Sequence, residues 1–157
     1  SPGGKIEQVG KPKEIYEFPK SLFVARFVGE INILNGKLIK KDGEDCLELH
    51  KTTLLKVIIP QDDKAAFLEN QNTHLSIRPE KIKISKKKLP NYSNELIGTV
   101  NAIVYYGRST QYKVDLGNGL MVQVLEQNQD HFGKEVIDYD DKVYLYWQKE
   151  NSLLLAR

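Results

Sequence analysis

The feature that most constrains this chain is a hydrophobic period of two. Leu47 and Leu49 alternate with Glu48, and Tyr112, Val114 and Leu116 with Lys113 and Asp115. Leu120, Val122 and Val124 continue the pattern, and Val143, Leu145 and Trp147 alternate with Tyr144 and Tyr146. Successive side chains of a strand point to opposite faces, so this alternation predicts strands with one face buried and one solvated. Turn chemistry separates the runs: Asp42-Gly43, Gly107-Arg108-Ser109, and Gly117-Asn118-Gly119, whose Asn-Gly is a hairpin signal. A short helix is predicted over residues 62–69, capped by Asp62 or Asp63, and a solvated linker over 86–91.

That linker divides two stretches that look like copies. The first opens "NGKLIK" (35–40) and closes "THLSIRPEKIKI" (73–84). The second opens "IGTVNA" (97–102) and closes "KVYLYWQKENSLLL" (142–155). Each begins with a glycine before an apolar strand. Each ends with alternation, a polar break holding a glutamate (Glu80, Glu150), and a last apolar strand, with a one-residue slip near Ser152. Two small β-barrels, or a pseudo-symmetric pair sharing strands, satisfy this repeat.

The front of the chain is different. Pro12 suits a first helical turn with Glu14 near the positive end of the dipole, and Pro19 stops it. Ser21 caps a second predicted helix from Leu22 to Val28, ended by Gly29. Leu22, Phe23, Phe27 and Val28 are too many apolar groups for so short a helix to bury, so they predict a docking face.

Composition narrows the function. The 157 residues carry 23 basic and 21 acidic side chains, a formal net charge of +2, which creates no global field for nucleic acid. Cys46 is the single cysteine, so no disulfide can close within the chain, as in a reducing compartment. The apolar runs near residues 22–28 and 54–59 fall far short of the ~20 residues that span a bilayer.

Candidate chemistry is sparse. The run from Gly4 to Lys11 resembles a phosphate-binding loop, but its spacing is one residue too long and Pro12 stands where a magnesium-binding hydroxyl belongs. His50, His74 and His131 lack metal-ligand spacing, and Cys46 has no cysteine partner. Asp138, Asp140 and Asp141 read as a polar turn, since an EF-hand's central glycine and closing glutamate are missing. Lys81, Lys83, Lys86, Lys87 and Lys88, with Tyr92, Tyr105, Tyr106 and Tyr112, would suit single-stranded nucleic acid, but the lysines concentrate where solvated lysines guard a sheet edge. Arg78-Pro79-Glu80 is the most distinctive polar triplet, a proline-fixed corner and the candidate interface or regulatory site.

"GKIEQVGKPKEIYEFPKSLFVARFVGEINIL" (4–34) resembles the junction where an ABC-transporter ATPase domain meets its regulatory domain. That pattern is G-[KR]-I-E-Q-x-G-x-P-x-E-I-Y-x-x-P-x-x-x-F-V-A-x-F-[IV]-G-E-x-N. The ending Gly29-Glu30-Ile31-Asn32 is similar to the spermidine/putrescine importer branch, "LSIRPEKIKI" to its I-R-P-E signature, and "VYLYW" to its final strand. What is present resembles the transport-associated OB-type (TOBE) domain. The resemblance implies an all-β fold of OB-like Greek-key barrels, two related small β units with a short helical N-terminal segment. It divides the chain into an ATPase-domain remnant, 1–29, and a regulatory domain, 30–157, with sub-units of about 30–88 and 89–157.

The resemblance also implies a function. The parent hydrolyses ATP with magnesium on the inner face of the cell membrane and drives polyamine import. Its subunits pair two-fold, and the regulatory domains hold the pair and tune turnover. Expected partners are the chain's own ATPase domain, docked through Leu22, Phe23 and Phe27, a second copy of the subunit, and the permease subunits. No residue matches a catalytic position of the family, so no catalytic, cofactor or metal residue is expected here, and no nucleic acid. Two other readings remain beside it: a stand-alone OB-type single-stranded nucleic-acid module, and a small-ligand feedback sensor with Trp147, Tyr144 and the acids of 138–141 near one pocket.

Overall fold

The computed structural model describes residues 30–50, 52–128 and 135–156. The segment 1–29, with its predicted helices and the docking residues Leu22, Phe23 and Phe27, lies outside the described residues, as does His131.

The period-two runs form ten strands. They are β1 (Asn32–Lys41), β2 (Glu44–His50), β3 (Thr53–Lys56), β4 (Asn72–Ile77), β5 (Lys83–Ser85), β6 (Asn94–Tyr105), β7 (Ser109–Asp115), β8 (Met121–Gln127), β9 (Lys142–Trp147) and β10 (Ser152–Leu155). They build two antiparallel sheets, of order β10-β4-β1-β2-β3 and β5-β9-β6-β7-β8. Each contains the spatial order fourth-first-second-third, which is a Greek key.

The fifth strand of each sheet comes from the other half of the sequence. Ile84 of β5 pairs with Leu145 of β9, and Leu154 of β10 pairs with Leu75 of β4. The compact units are therefore 30–77 with 152–156, and 78–151. A cut at the linker near residue 88 separates the sequence copies; the compact units instead follow the two exchanged strands.

In the first unit Leu34, Leu47, Leu55, Leu75 and Leu154 are buried; in the second Leu96, Val114, Val122, Leu145 and Trp147 are. These are the inward positions that the alternation predicts. Gly36 and Gly98 occupy matching places on β1 and β6, opposite Thr73 and Val143. A Cβ at Gly36 would sit 2.5 Å from the Glu48 carbonyl oxygen, and one at Gly98 would sit 2.7 Å from that of Asp115. The next strand crosses too closely for a side chain, which is why both copies open on glycine.

The β1–β2 turn places Asp42 (φ 52°) and Gly43 (φ 80°) in the left-handed region, as a type I′ hairpin requires. The predicted helix at 62–69 is instead a 3-10 segment, Gln61–Ala66, with Asp63 at non-helical φ −140° and no side-chain cap. None of its residues is buried, so no apolar face rewards a longer α-helix.

Candidate functional site

The corner after β4 is formed as the sequence demands. Arg78 is extended (φ −72°, ψ 141°), the conformation a following proline imposes. Pro79 opens a single 3-10 turn, Pro79–Lys81, in which the Lys81 N–H donates to the Arg78 carbonyl at 3.0 Å. The three side chains have different fates. Arg78 is only 7% exposed and Pro79 is buried, while Glu80 faces solvent. The corner is therefore a buried arginine and proline followed by one solvent-exposed carboxylate, and direct outside contact falls to Glu80.

The matching corner follows β9. Gln148 stands where Arg78 stands, before the 3-10 turn Lys149–Asn151. Its Oε1 accepts the Ser93 N–H at 3.1 Å, and its Nε2 donates to the Asn91 carbonyl at 2.8 Å. The linker at 86–91 is thus tied down at both ends. Leu89 N–H donates to the Tyr146 hydroxyl at 2.9 Å, and that hydroxyl donates to Glu95 at 2.7 Å. Lys88 pairs with Glu95 at 3.2 Å. Burial pushes the Tyr146 hydroxyl's pKa up, and Glu95 adds to the shift, while the Leu89 N–H opposes it.

Tyr144 lies on the outer face of β9, with the Lys88 and Lys142 ammonium groups 5.7 and 5.4 Å from its ring centroid. Trp147 is three residues on, so it points to the opposite face, where it is 1% exposed. Asp138, Asp140 and Asp141 form a turn instead: the Asp141 carboxylate accepts the Asp138 N–H at 2.7 Å and pairs with Lys86 at 3.5 Å. The structure therefore does not gather Tyr144, Trp147 and these acids into one pocket.

Of the lysine stripe, Lys86 and Lys88 are engaged by acids, and of the tyrosines Tyr112 is buried. His74 bonds the Asn35 side chain across β1 and β4, and among the described residues no group of three or more acids, histidines or cysteines is placed to hold a metal. Cys46 is buried; burial, then Glu44, raises its pKa against the opposing Lys56, which leaves a thiol rather than a thiolate. Sequence reasoning named Tyr105, Tyr106 and the Gly107-Arg108-Ser109 turn separately and missed that they form one exposed tip. Its signal was the longer interval from Gly98 to Gly107 than from Gly36 to Gly43.

Two Greek-key units built on one pattern, each completed by a strand from the other half of the sequence, define an all-β, OB-type domain. The TOBE domain family model matches residues 75–155, and the chain belongs to that family. The chain is similar to the spermidine/putrescine import ATP-binding protein PotA of Trichormus variabilis, 35% identical over 152 residues, which are 97% of this chain and 39% of that protein. It is also similar to the putrescine transport ATP-binding protein PotG of Escherichia coli K12, 33% identical over 98% of this chain and 40% of that protein. The chain thus spans about two fifths of the length of these relatives. Among solved structures, the cytoplasmic molybdate-binding protein ModG shares the fold, with a TM-score of 0.65 and 12% identity over 78% of this chain and 94% of that one. None of the described helices is long and apolar enough to cross a membrane.

Proposed function

We propose that this chain is the C-terminal regulatory domain of the ATP-binding subunit of a polyamine importer of the ABC class. The observation that carries the reading is the match along 97% of the chain to a protein named for spermidine and putrescine import. In this reading the preceding part of the polypeptide binds ATP and magnesium on the cytoplasmic side of the membrane and meets the permease subunits. The chain itself supplies no catalytic group and holds no cofactor. Its segment 4–11 is a residue too long for a phosphate loop and is followed by Pro12.

A domain without catalytic groups acts on a remote ATPase through a coupling free energy, by favouring one arrangement of the paired subunits. Glu80 is suited to such a contact. Its backbone is held in a 3-10 turn behind a buried proline, so little entropy is lost when the carboxylate meets a partner. A contact worth ~1–3 kcal/mol in one arrangement only would change turnover between about fivefold and a hundredfold.

The test uses the importer reconstituted in proteoliposomes with three forms of the complete subunit: wild type, Glu80→Lys, and one lacking residues 30–157. The reading predicts altered substrate-stimulated ATP turnover in both variants, with nucleotide affinity little changed. Wild-type stimulation and polyamine uptake in the truncated form would overturn the regulatory role. Wild-type behaviour of Glu80→Lys alone would reduce the corner to a structural turn.

A further inference from the structure

The two units are copies, so what one carries and the other lacks is not required by the shared fold. One such difference lies in the first hairpin of each. In the first unit the β1–β2 ladder ends at Lys41↔Glu44, next to its turn. The matching rung of the second unit, counted from Gly98 and past the bulge between Val100 and Ala102, is Val104↔Gln111. The β6–β7 hairpin continues beyond it through Tyr105↔Thr110 and the Tyr106 N–H bond to the Ser109 carbonyl at 2.8 Å. At about 3.4 Å per strand residue, these two extra rungs project the tip about 7 Å farther.

The extension is built to be rigid. β8 follows it to the end, pairing Glu126 with Thr110 and Gln127 with Ser109. Asn128 closes the tip: its N–H donates to the Arg108 carbonyl at 2.7 Å, its Nδ2 donates to that of Gly107 at 3.2 Å, and its Oδ1 accepts the Thr110 hydroxyl at 3.0 Å. Gly107 takes φ 70° as the first central residue of the turn, where type II′ hairpins require glycine. The Tyr106 hydroxyl donates to Gln111 at 3.2 Å.

This pre-ordered arm ends in the residue types that dominate binding hot spots. Tyr105 is 73% exposed and Tyr106 58% exposed, and Arg108 is exposed beside them. Both rings are more exposed than buried, so they add little to the unit's own core. A rigid arm loses little conformational entropy on docking.

We propose that the β6–β7 tip, through Tyr105, Tyr106 and Arg108, docks on the ATP-binding body of its own complete subunit. This rests on the functional reading above. The occupant is chosen because about three fifths of each similar ATP-binding protein lies outside the span this chain matches. A body of that size is the largest surface always present at high effective concentration, because it is on the same polypeptide.

Hydrogen exchange at the amides of residues 105–108, compared between this chain alone and the complete subunit, tests the proposal. Exchange in the complete subunit should be at least tenfold slower. Tyr105→Ser with Arg108→Ser, which keeps the Tyr106–Gln111 bond, should abolish that difference and leave the thermal midpoint of the chain alone unchanged. Equal exchange in the two proteins overturns the proposal. Protection in the chain alone that grows with its concentration overturns it in favour of a second copy, and protection on adding oligo-dT overturns it in favour of single-stranded nucleic acid. A complete polypeptide that turns over no ATP refutes the functional reading and this proposal with it. Unprotected tip amides in a polypeptide that does turn over ATP refute the docking surface alone.

Discussion

Replacing Gly98 by alanine isolates the close approach that both copies share. A Cβ there would meet Val114 Cγ1 at 2.6 Å, the Asp115 carbonyl oxygen at 2.7 Å and Leu116 Cδ2 at 3.0 Å. Val114 is fully buried and the Asp115 oxygen belongs to the β7 backbone, so neither has a free direction in which to retreat. Overpacking of this kind costs about 1–3 kcal/mol, and a backbone obstacle puts the site near the upper end. Against it stands about 0.4–1 kcal/mol gained by restricting the unfolded chain, since the backbone here is not left-handed. The balance is roughly 2 kcal/mol of destabilisation, or about 4–8 °C in Tm for a chain of this size. Gly36→Ala should behave alike, because its Cβ would meet the Glu48 oxygen at 2.5 Å and Leu47 Cγ at 2.8 Å. Gly43→Ala has nothing within 4 Å, so any loss there comes from φ +80° alone. Urea and thermal unfolding of the three purified variants make the comparison. A neutral or stabilising Gly98→Ala would refute the argument that strand crossing, rather than chance, placed glycine at the head of each copy.

Two further outcomes follow from buried groups. Burial, then Glu126 and Tyr105, pushes the Tyr112 pKa up to about 12 from 10. The folded chain holds this proton more tightly than the unfolded one, so the contribution is complete below pH 10 and is lost between pH 10 and 12. The loss should be no steeper than about 1.4 kcal/mol per pH unit, and Tyr112→Phe should flatten it in denaturation curves taken across that window. Arg78 is buried, so Arg78→Glu should lower chain stability by about 3 kcal/mol or more, whereas Glu80→Lys at an exposed position should cost no more than about 1 kcal/mol. Chemical denaturation of each variant checks both signs.

The legible part of the fold was what periodicity encodes. Alternation placed Leu47, Val114, Val122 and Leu145 on inward faces, and Asp42-Gly43 and Asn118-Gly119 marked turns whose residues take positive φ. The glycines at 36 and 98 and the glutamates at 80 and 150 revealed the repeat. Periodicity names a face but not a partner. The short strands "KIS" and "SLLL" would satisfy the same alternation beside either β4 or β9, so their exchange was not readable. At the corner, the proline announced a turn, but nothing in the triplet itself says that Arg78 is buried and Glu80 exposed. By contrast, the alternation along β9 already put Tyr144 and Trp147 on opposite faces, so a single pocket holding both ran against the sequence pattern itself.

The central claim is that this domain modulates ATP chemistry performed elsewhere on its polypeptide. Calorimetric titration of Mg-ATP into the chain alone and into the complete subunit tests it most directly. Phosphoryl transfer requires a phosphate cradle, a metal ligand and a positioned water, and segment 4–11 lacks the spacing of a phosphate loop. The account predicts no saturable heat from the chain and saturable binding with turnover from the complete subunit. Saturable micromolar binding by the chain alone, or no ATP binding by the complete polypeptide, would contradict it.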